Sequence, residues 1–292
     1  MDNLRGGALM ILAMAGFALE DMFVKRLTGS LSVGLVLILL GAGGALVFGV
    51  MALARGHRLF SRDLISRPVL LRNFGELVAT LGFVTALALT PISSASAILQ
   101  ATPLAVTLGA ALFLGEPVGW RRWSAIIVGF TGVLMIIRPG LQGFQPASLF
   151  AVQAVVGLAI RDLATRATPR TVTTLQLASY AFATLVPAGV LMLFIWPGST
   201  VSLPTPANWR DLSLALLFGV FAYYAIVAAM RVGDVSYVTP FRYTRLVFAL
   251  IIGVTVFAER PDGWTLTGAA LIVATGLYSV IREARLRRRI HL

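Results

Sequence analysis

The sequence predicts an all-α integral membrane protein with ten transmembrane helices, laid out as two five-helix inverted repeats. Three observations carry that expectation. Of the 292 residues, 58% are hydrophobic and 12% charged, about half the 25% or so of charge found in a typical soluble domain. The mean hydropathy of +0.88 is concentrated in ten stretches of roughly 20 residues, the length a helix needs to cross a bilayer with its backbone bonded internally. A shift of 144 residues lays Pro117, Gly119 and Trp120 on Pro261, Gly263 and Trp264, and lays Thr131, Gly132 and Arg138 on Thr275, Gly276 and Arg282. The chain therefore divides into 1–144 and 145–292, each with five spans. Because five is odd, the second copy enters the membrane upside down, a layout that puts a substrate site near the midplane.

The spans follow in order, separated by charge or by Pro and Gly. Span one (7–27) carries Glu20 and Asp21 and is too long and too acidic for a cleavable signal peptide. Span two (32–54) holds the Gly41–Gly44 cluster, and span three (69–89) holds Asn73, Glu76 and Thr80 on one face. Span four (93–114) has a polar stripe of Ser93, Ser96, Gln100, Pro103 and Thr107 beside a small-residue stripe of Ala97, Ala101, Ala105 and Gly109. The first suits a wet wall and the second a close helix contact. Span five (121–138) and span six (146–164) follow, the latter with Arg161 and Asp162 at its end. Span seven (171–196) contains Pro187 opposite the glycines of span two, span eight (209–230) contains Tyr224, and span nine (235–258) contains Arg242 and Arg245. Span ten (263–281) leads into a basic tail, Arg282 to Arg289, suited to anionic lipid.

Span four ends in Leu114-Gly115-Glu116-Pro117, and span nine in Ala258-Glu259-Arg260-Pro261, where the glutamate is displaced by one position in the 144-residue register. With the repeated stretches 114–138 and 258–282, the span count and the short loops, the chain resembles the drug/metabolite transporter superfamily, in particular its ten-span EamA-type exporters. The resemblance implies a carrier of small metabolites, often an exporter of amino acids. The displaced glutamate favours an interfacial turn over a functional group.

Other function classes are excluded or disfavoured by composition. The net charge of +12 does not indicate a nucleic-acid partner, because the residues between the basic clusters are apolar rather than polar. There is no cysteine, and the two histidines, His57 and His291, sit among arginines in polar stretches, so no thiolate or histidine metal site and no Ser/His dyad is expected in the membrane. No Walker A motif is present to use ATP. Glu20-Asp21 is the one adjacent acid pair in the spans. An intramembrane enzyme is thus disfavoured, and neither a catalytic residue nor a cofactor nor a metal is expected. A passive channel is disfavoured by the inverted duplication.

Positive charge marks the cytoplasmic side. With the N-terminus inside, 16 of the 24 basic residues fall on that side, five fall opposite, and Arg72, Arg242 and Arg245 lie within spans. Both termini are therefore expected in the cytoplasm and the chain in a bacterial-type inner membrane. The partners expected are a small-molecule substrate and the lipid bilayer. The sequence allows a monomer and leaves a homodimer open.

Polar groups inside a membrane span are costly and mark a bundle interior. The 144-residue shift carries Ser93, Ser96 and Gln100 onto Tyr237, Pro240 and Thr244, and Thr80 onto Tyr224. The cavity candidates are accordingly Asn73, Glu76, Thr80, Ser96, Gln100, Pro103, Tyr224, Tyr237, Pro240, Arg242, Thr244 and Arg245. Pro103 and Pro240 each remove a backbone donor and leave a carbonyl for a substrate ammonium, or simply kink a helix. Glu76 and Arg242 are each eighth from the start of their spans, both about 10 Å deep. Glu76 is expected to face Arg242 or Arg245; the alternative is that Arg72 neutralises Glu76 while the span-nine arginines snorkel. Glu20 and Asp21 are expected at an outer gate or paired locally with Lys25, and Arg161 and Asp162 form their inner counterpart.

Overall fold

The structure, a computed structural model, describes residues 2–60, 62–116, 118–141, 143–169, 171–195, 201–233 and 235–290. Pro117 and His291, named above, lie outside them. Among the described residues there are ten apolar helical crossings, formed by α1 (Asp2–Thr28), α2 (Val33–Ala54), α3 (Arg67–Leu89), α4 (Ile92–Leu99), α5 (Thr102–Phe113), α6 (Trp120–Ile137), α7 (Ser148–Thr165), α8 (Thr174–Ile195), α9 (Pro206–Val232), α10 (Val235–Val238), α11 (Thr244–Val256) and α12 (Gly263–Ile290). We call the end where α1 begins the near end and the opposite one the far end.

Two crossings are broken, and they are equivalent in the two halves. Span four is not one helix: it stops at Leu99, turns through Gln100 and Ala101, and restarts at Thr102 with Pro103 in the first turn. Span nine runs from α10 through a 3-10 turn, Thr239–Tyr243, into α11. The new helices start at Thr102 and Thr244, within two residues of the 144-residue register. Proline cannot donate to the carbonyl four residues back, so each break sits where Pro103 or Pro240 interrupts the ladder. Span one begins at Asp2, five residues earlier than its hydropathy suggests. Pro187 lies inside a continuous α8.

The helices pair across the repeats. The principal partnerships are α1 with α9, α2 with α8, α3 with α7, and α6 with α12. Little hydrophobic force acts between helices in lipid, so close backbone approach over small residues holds them together. At the α6–α12 crossing a Cβ added to Gly132 would lie 2.6 Å from the Gly268 carbonyl oxygen, and one on Gly75 of α3 would lie 2.6 Å from the Arg161 nitrogen of α7.

The two ends of the bundle differ in packing. In the far half one buried cluster unites Leu27, Leu37, Leu87, Ile98, Ile136, Val155, Leu212, Leu246 and Ile272, with Met192 of α8 packed against it, so every crossing contributes. In the near half the buried apolar residues fall into three smaller clusters. Met10 and Met14 join Ala229 and Val238, Phe48 joins Leu175, and Leu64 joins Val69 and Leu177. Among the described residues, the far half is packed as one cluster and the near half as three.

Candidate functional site

Eight charged side chains within the spans form one electrostatically linked group, four acidic (Glu20, Asp21, Glu76, Asp162) and four basic (Arg72, Arg161, Arg242, Arg245). Ionised, they sum to zero. An ion within a span costs several kcal/mol unless it is partnered, and most of these are. Arg245 at the start of α11 grips Asp21 of α1 in a fork: Nη2 lies 2.8 Å from both carboxylate oxygens and Nε lies 3.1 Å from Oδ2. Its guanidinium also lies over the rings of Phe17 and Phe83, at 5.2 and 5.6 Å, a stacking that ammonium groups do not match. Glu76 of α3 is shared between Arg72, 3.2 Å away on the same helix, and Arg161 of α7, 3.3 Å away. Arg161 in turn holds Asp162 at 2.8 Å, and Arg72 donates to Asn73 Oδ1 and the Leu177 carbonyl, both at 3.1 Å.

These contacts correct the pairing expected from depth alone. Glu76 faces Arg72 and Arg161 rather than Arg242 or Arg245. Asp21 pairs with Arg245 rather than Lys25, because α1 and α11 pack together in space while helical periodicity reports only neighbours on one helix. Arg161, placed at an inner gate by symmetry, reaches the central belt through its long side chain.

Two members have no hydrogen-bond or ion-pair partner among the described residues. Arg242 is an exposed residue, with Asp162, Arg161 and Arg245 as the charged neighbours of its guanidinium. Glu20 is half-buried against Gly219 of α9, with Asp21, Arg245 and Glu76 nearby.

The remaining candidates divide between the helix breaks and the near end. Gln100 donates to the Arg242 carbonyl at 3.3 Å, tying the break in span four to that in span nine. The carbonyl of Leu99, freed by Pro103, accepts the Thr102 hydroxyl at 2.6 Å, so it is not left for a substrate alone. Thr244 donates to the Phe241 carbonyl at 2.6 Å, Pro240 lies in the 3-10 turn, and the Ser96 hydroxyl is buried without a hydrogen-bond partner among the described residues. Asn73 is buried and Thr80 half-buried on α3. Tyr237 packs on Phe241 near the start of span nine. Tyr224 belongs to a near-end pocket of about 350 Å³, where the Arg55 guanidinium lies 5.6 Å from its ring centre. His57, Thr173, Tyr223 and Arg231 complete that pocket, and no acid lines it among the described residues. Arg55 and Arg231 looked like ordinary interfacial charge in the sequence, because nothing linear places α2 beside α9.

A far-end pocket of about 300 Å³ is different in character. Arg138, Glu259, Arg260 and Asp262 line it, and two of those charges are paired with each other. Arg138 pairs with Asp262, whose carboxyl is pushed down to about 2 by that guanidinium and by the Thr265 N–H. Glu259 is a residue the sequence undervalued. The Glu259 and Glu116 N–H groups each bond the carbonyl six residues back, Gly253 and Ala110, and each follows a residue with positive φ, Ala258 and Gly115. The two glutamates are therefore equivalent in register 143, and Arg260 is the extra residue that restores register 144 at Pro261.

The chain matches the EamA-like transporter family twice, over residues 4–138 and 145–281, with five crossings in each match. It is 29% identical over 290 residues to the pseudopaline exporter of Pseudomonas aeruginosa, covering 94% of this chain and 95% of that protein. It is 32% identical over 212 residues to a riboflavin transporter of Rhizobium johnstonii (71% and 68% covered) and 29% over 210 residues to an S-adenosylmethionine uptake transporter of Rickettsia conorii (70% and 68%). A solved crystal structure superposes with a TM-score of 0.60 at 21% identity, covering 96% of this chain and 98% of that one, which shows a common fold. Two family matches that together span nearly all of the ten crossings establish the chain as a membrane transporter of the EamA-like transporter family.

Proposed function

We propose that the protein is a secondary transporter that carries small zwitterionic metabolites, amino acids foremost, outward across the inner membrane by alternating access around the linked charges of the spans. One observation carries this reading: among the described residues, the neutral belt leaves one cation, Arg242, and one anion, Glu20, without a hydrogen-bond or ion-pair partner. A solute bearing both a carboxylate and an ammonium offers each the partner it lacks, and charge-assisted hydrogen bonds are the strong ones. Gln100, Thr80, Thr244 and Asn73 supply neutral polar surface around them, and Pro103, Pro240 and Ser96 mark the breaks where helix backbone borders that space.

The near end is taken as cytoplasmic from the distribution of basic residues, 16 against five. A near half packed as three clusters beneath a far half packed as one is then a state that loads from the cytoplasm. Outward transport also fits the exporter that aligns along the whole chain, whereas the S-adenosylmethionine relative is named for uptake. The boundary at residues 144/145 falls between the two family matches and supports two half-units meeting at this site.

A second reading has its own support. The near-end pocket of Arg55, His57 and Arg231 has no lining acid among the described residues, which suits a more anionic metabolite such as a nucleotide or sugar phosphate. Competition decides between them. Efflux of a labelled amino acid from loaded vesicles should be inhibited by other amino acids and hardly by their methyl esters or N-acetyl forms. Inhibition by phosphorylated compounds alone would favour the second reading.

A further inference from the structure

Pro91 precedes α4 and provides no side-chain cap, so the first N–H groups of that helix have no local acceptor. Glu259, from the other repeat, supplies one. Its Oε1 accepts from the Ile92 N–H at 2.6 Å, and its Oε2 accepts from the Ser93 N–H at 3.1 Å and the Ser93 hydroxyl at 2.6 Å. On the other flank of the same turn, Lys25 of α1 donates to the Leu87 and Thr90 carbonyls at 2.9 and 2.6 Å, the last acceptors of α3. The Lys25 ammonium also lies 5.4 Å from the ring centre of Phe257, two residues before Glu259. An anion at a helix start and a cation at a helix end are each the favourable sign for the helix dipole. Five charge-assisted bonds thus fasten the α3–α4 turn to α1 and to the turn after α11, at the far end. At the near end the equivalent Glu116 pairs instead with Arg166 at 2.8 Å, both side chains about half exposed.

From this arrangement we propose that Lys25 and Glu259 are positioning residues of the transport reaction: they clamp the α3–α4 turn and hold the far end shut. The proposal rests on the alternating-access reading. To open the far end, the α3–α4 turn must leave either α1 or the 257–259 turn, and each departure breaks bonds to a charged partner. Removing one charge lowers that cost and raises the population of far-open molecules.

The chain has no cysteine, so a single reporter can be read without background. Ser96→Cys, a near-isosteric change one turn beneath Ser93 at a residue 1% exposed, reports the far side, and Thr80→Cys reports the near side. A membrane-impermeant maleimide is added to sealed right-side-out and inverted vesicles of the full-length protein without substrate. Glu259→Gln should speed far-side labelling of Ser96→Cys by about tenfold, the scale of one lost hydrogen bond to a charged group acting on a minor population. Lys25→Gln should act in the same direction, and Glu116→Gln should leave that rate unchanged. Near-side labelling of Thr80→Cys should not rise in any of the three. The proposal is overturned if far-side labelling ignores Glu259→Gln, if Glu116→Gln matches it, or if both reporters label faster, which would signify general loosening. The assay contains no solute, so a failed clamp leaves the transport reading standing, and a failed solute assay leaves the clamp standing.

Discussion

Asp21→Asn is the substitution whose effect follows most directly from the geometry. It keeps the shape of the side chain and removes the anion that Arg245 grips through three contacts of 2.8 to 3.1 Å. The Asp21 and Arg245 side chains are 6% and 20% exposed, so water can replace little of what is lost. Breaking a buried ion pair by removing one partner costs about 3–5 kcal/mol. The lower end applies here, because Arg245 keeps its two phenylalanine rings and some exposure. About 3 kcal/mol corresponds to roughly a 150-fold shift in the folding equilibrium. Denaturant unfolding in detergent should show that loss for Asp21→Asn and a similar one for Arg245→Gln. The double variant removes both charges and should lose less than the sum, with a coupling toward the upper end of the 0.5–3 kcal/mol seen for interacting residues. Strict additivity, or an unchanged midpoint in Asp21→Asn, would refute the reasoning.

Other predictions rest on separate contacts. Glu76→Gln should reduce folded yield and transport more than Arg72→Gln, because it strips Arg72 of its carboxylate and leaves Arg161 with Asp162 alone, whereas Arg72→Gln leaves Glu76 its Arg161 partner; fluorescence-detected gel filtration alongside an uptake assay reads both. Gly132→Ala should lower the unfolding midpoint by about 1–3 kcal/mol of overpacking, since its Cβ would meet the Gly268 carbonyl, while Gly119→Ala, with no atom in reach of the new Cβ, should be nearly neutral. Asp262 is held at about 2 when folded, below its ordinary 3.8. Its contribution is therefore present above pH ~4 and lost as pH falls toward 2. Asp262→Asn should flatten that acid limb of the stability profile and leave the profile from pH 5 to 8 unchanged.

The spans and their breaks were legible because hydropathy and proline act locally. Ten apolar stretches had no alternative to helix in a bilayer, and Pro103 and Pro240 fell where their helices stop being regular. Charge pairing was not legible to the same degree. Sequence depth put Glu76 and Arg242 at one level, yet it could not tell which helices adjoin, so it missed Asp21 with Arg245 and Arg161 with Glu76. Glu259 was missed for a narrower reason. A rigid 144-residue register set it one place away from Glu116, while the backbone bonds to Gly253 and Ala110 show that the extra residue, Arg260, comes after it. Lys25 reads in the sequence as a local partner of Glu20 and Asp21, and nothing there points to its acceptors, which are main-chain carbonyls 62 and 65 residues away.

The central claim, a carrier with one alternately exposed site for zwitterions, is tested most directly by counterflow in proteoliposomes. Vesicles containing the purified protein are loaded with unlabelled amino acids and diluted into a trace of the labelled ones. The account predicts transient, saturable accumulation of label that requires the internal load and is lost in Arg242→Gln and Glu20→Gln. Flux that is linear in concentration, indifferent to the internal load and unaffected by both substitutions would contradict it.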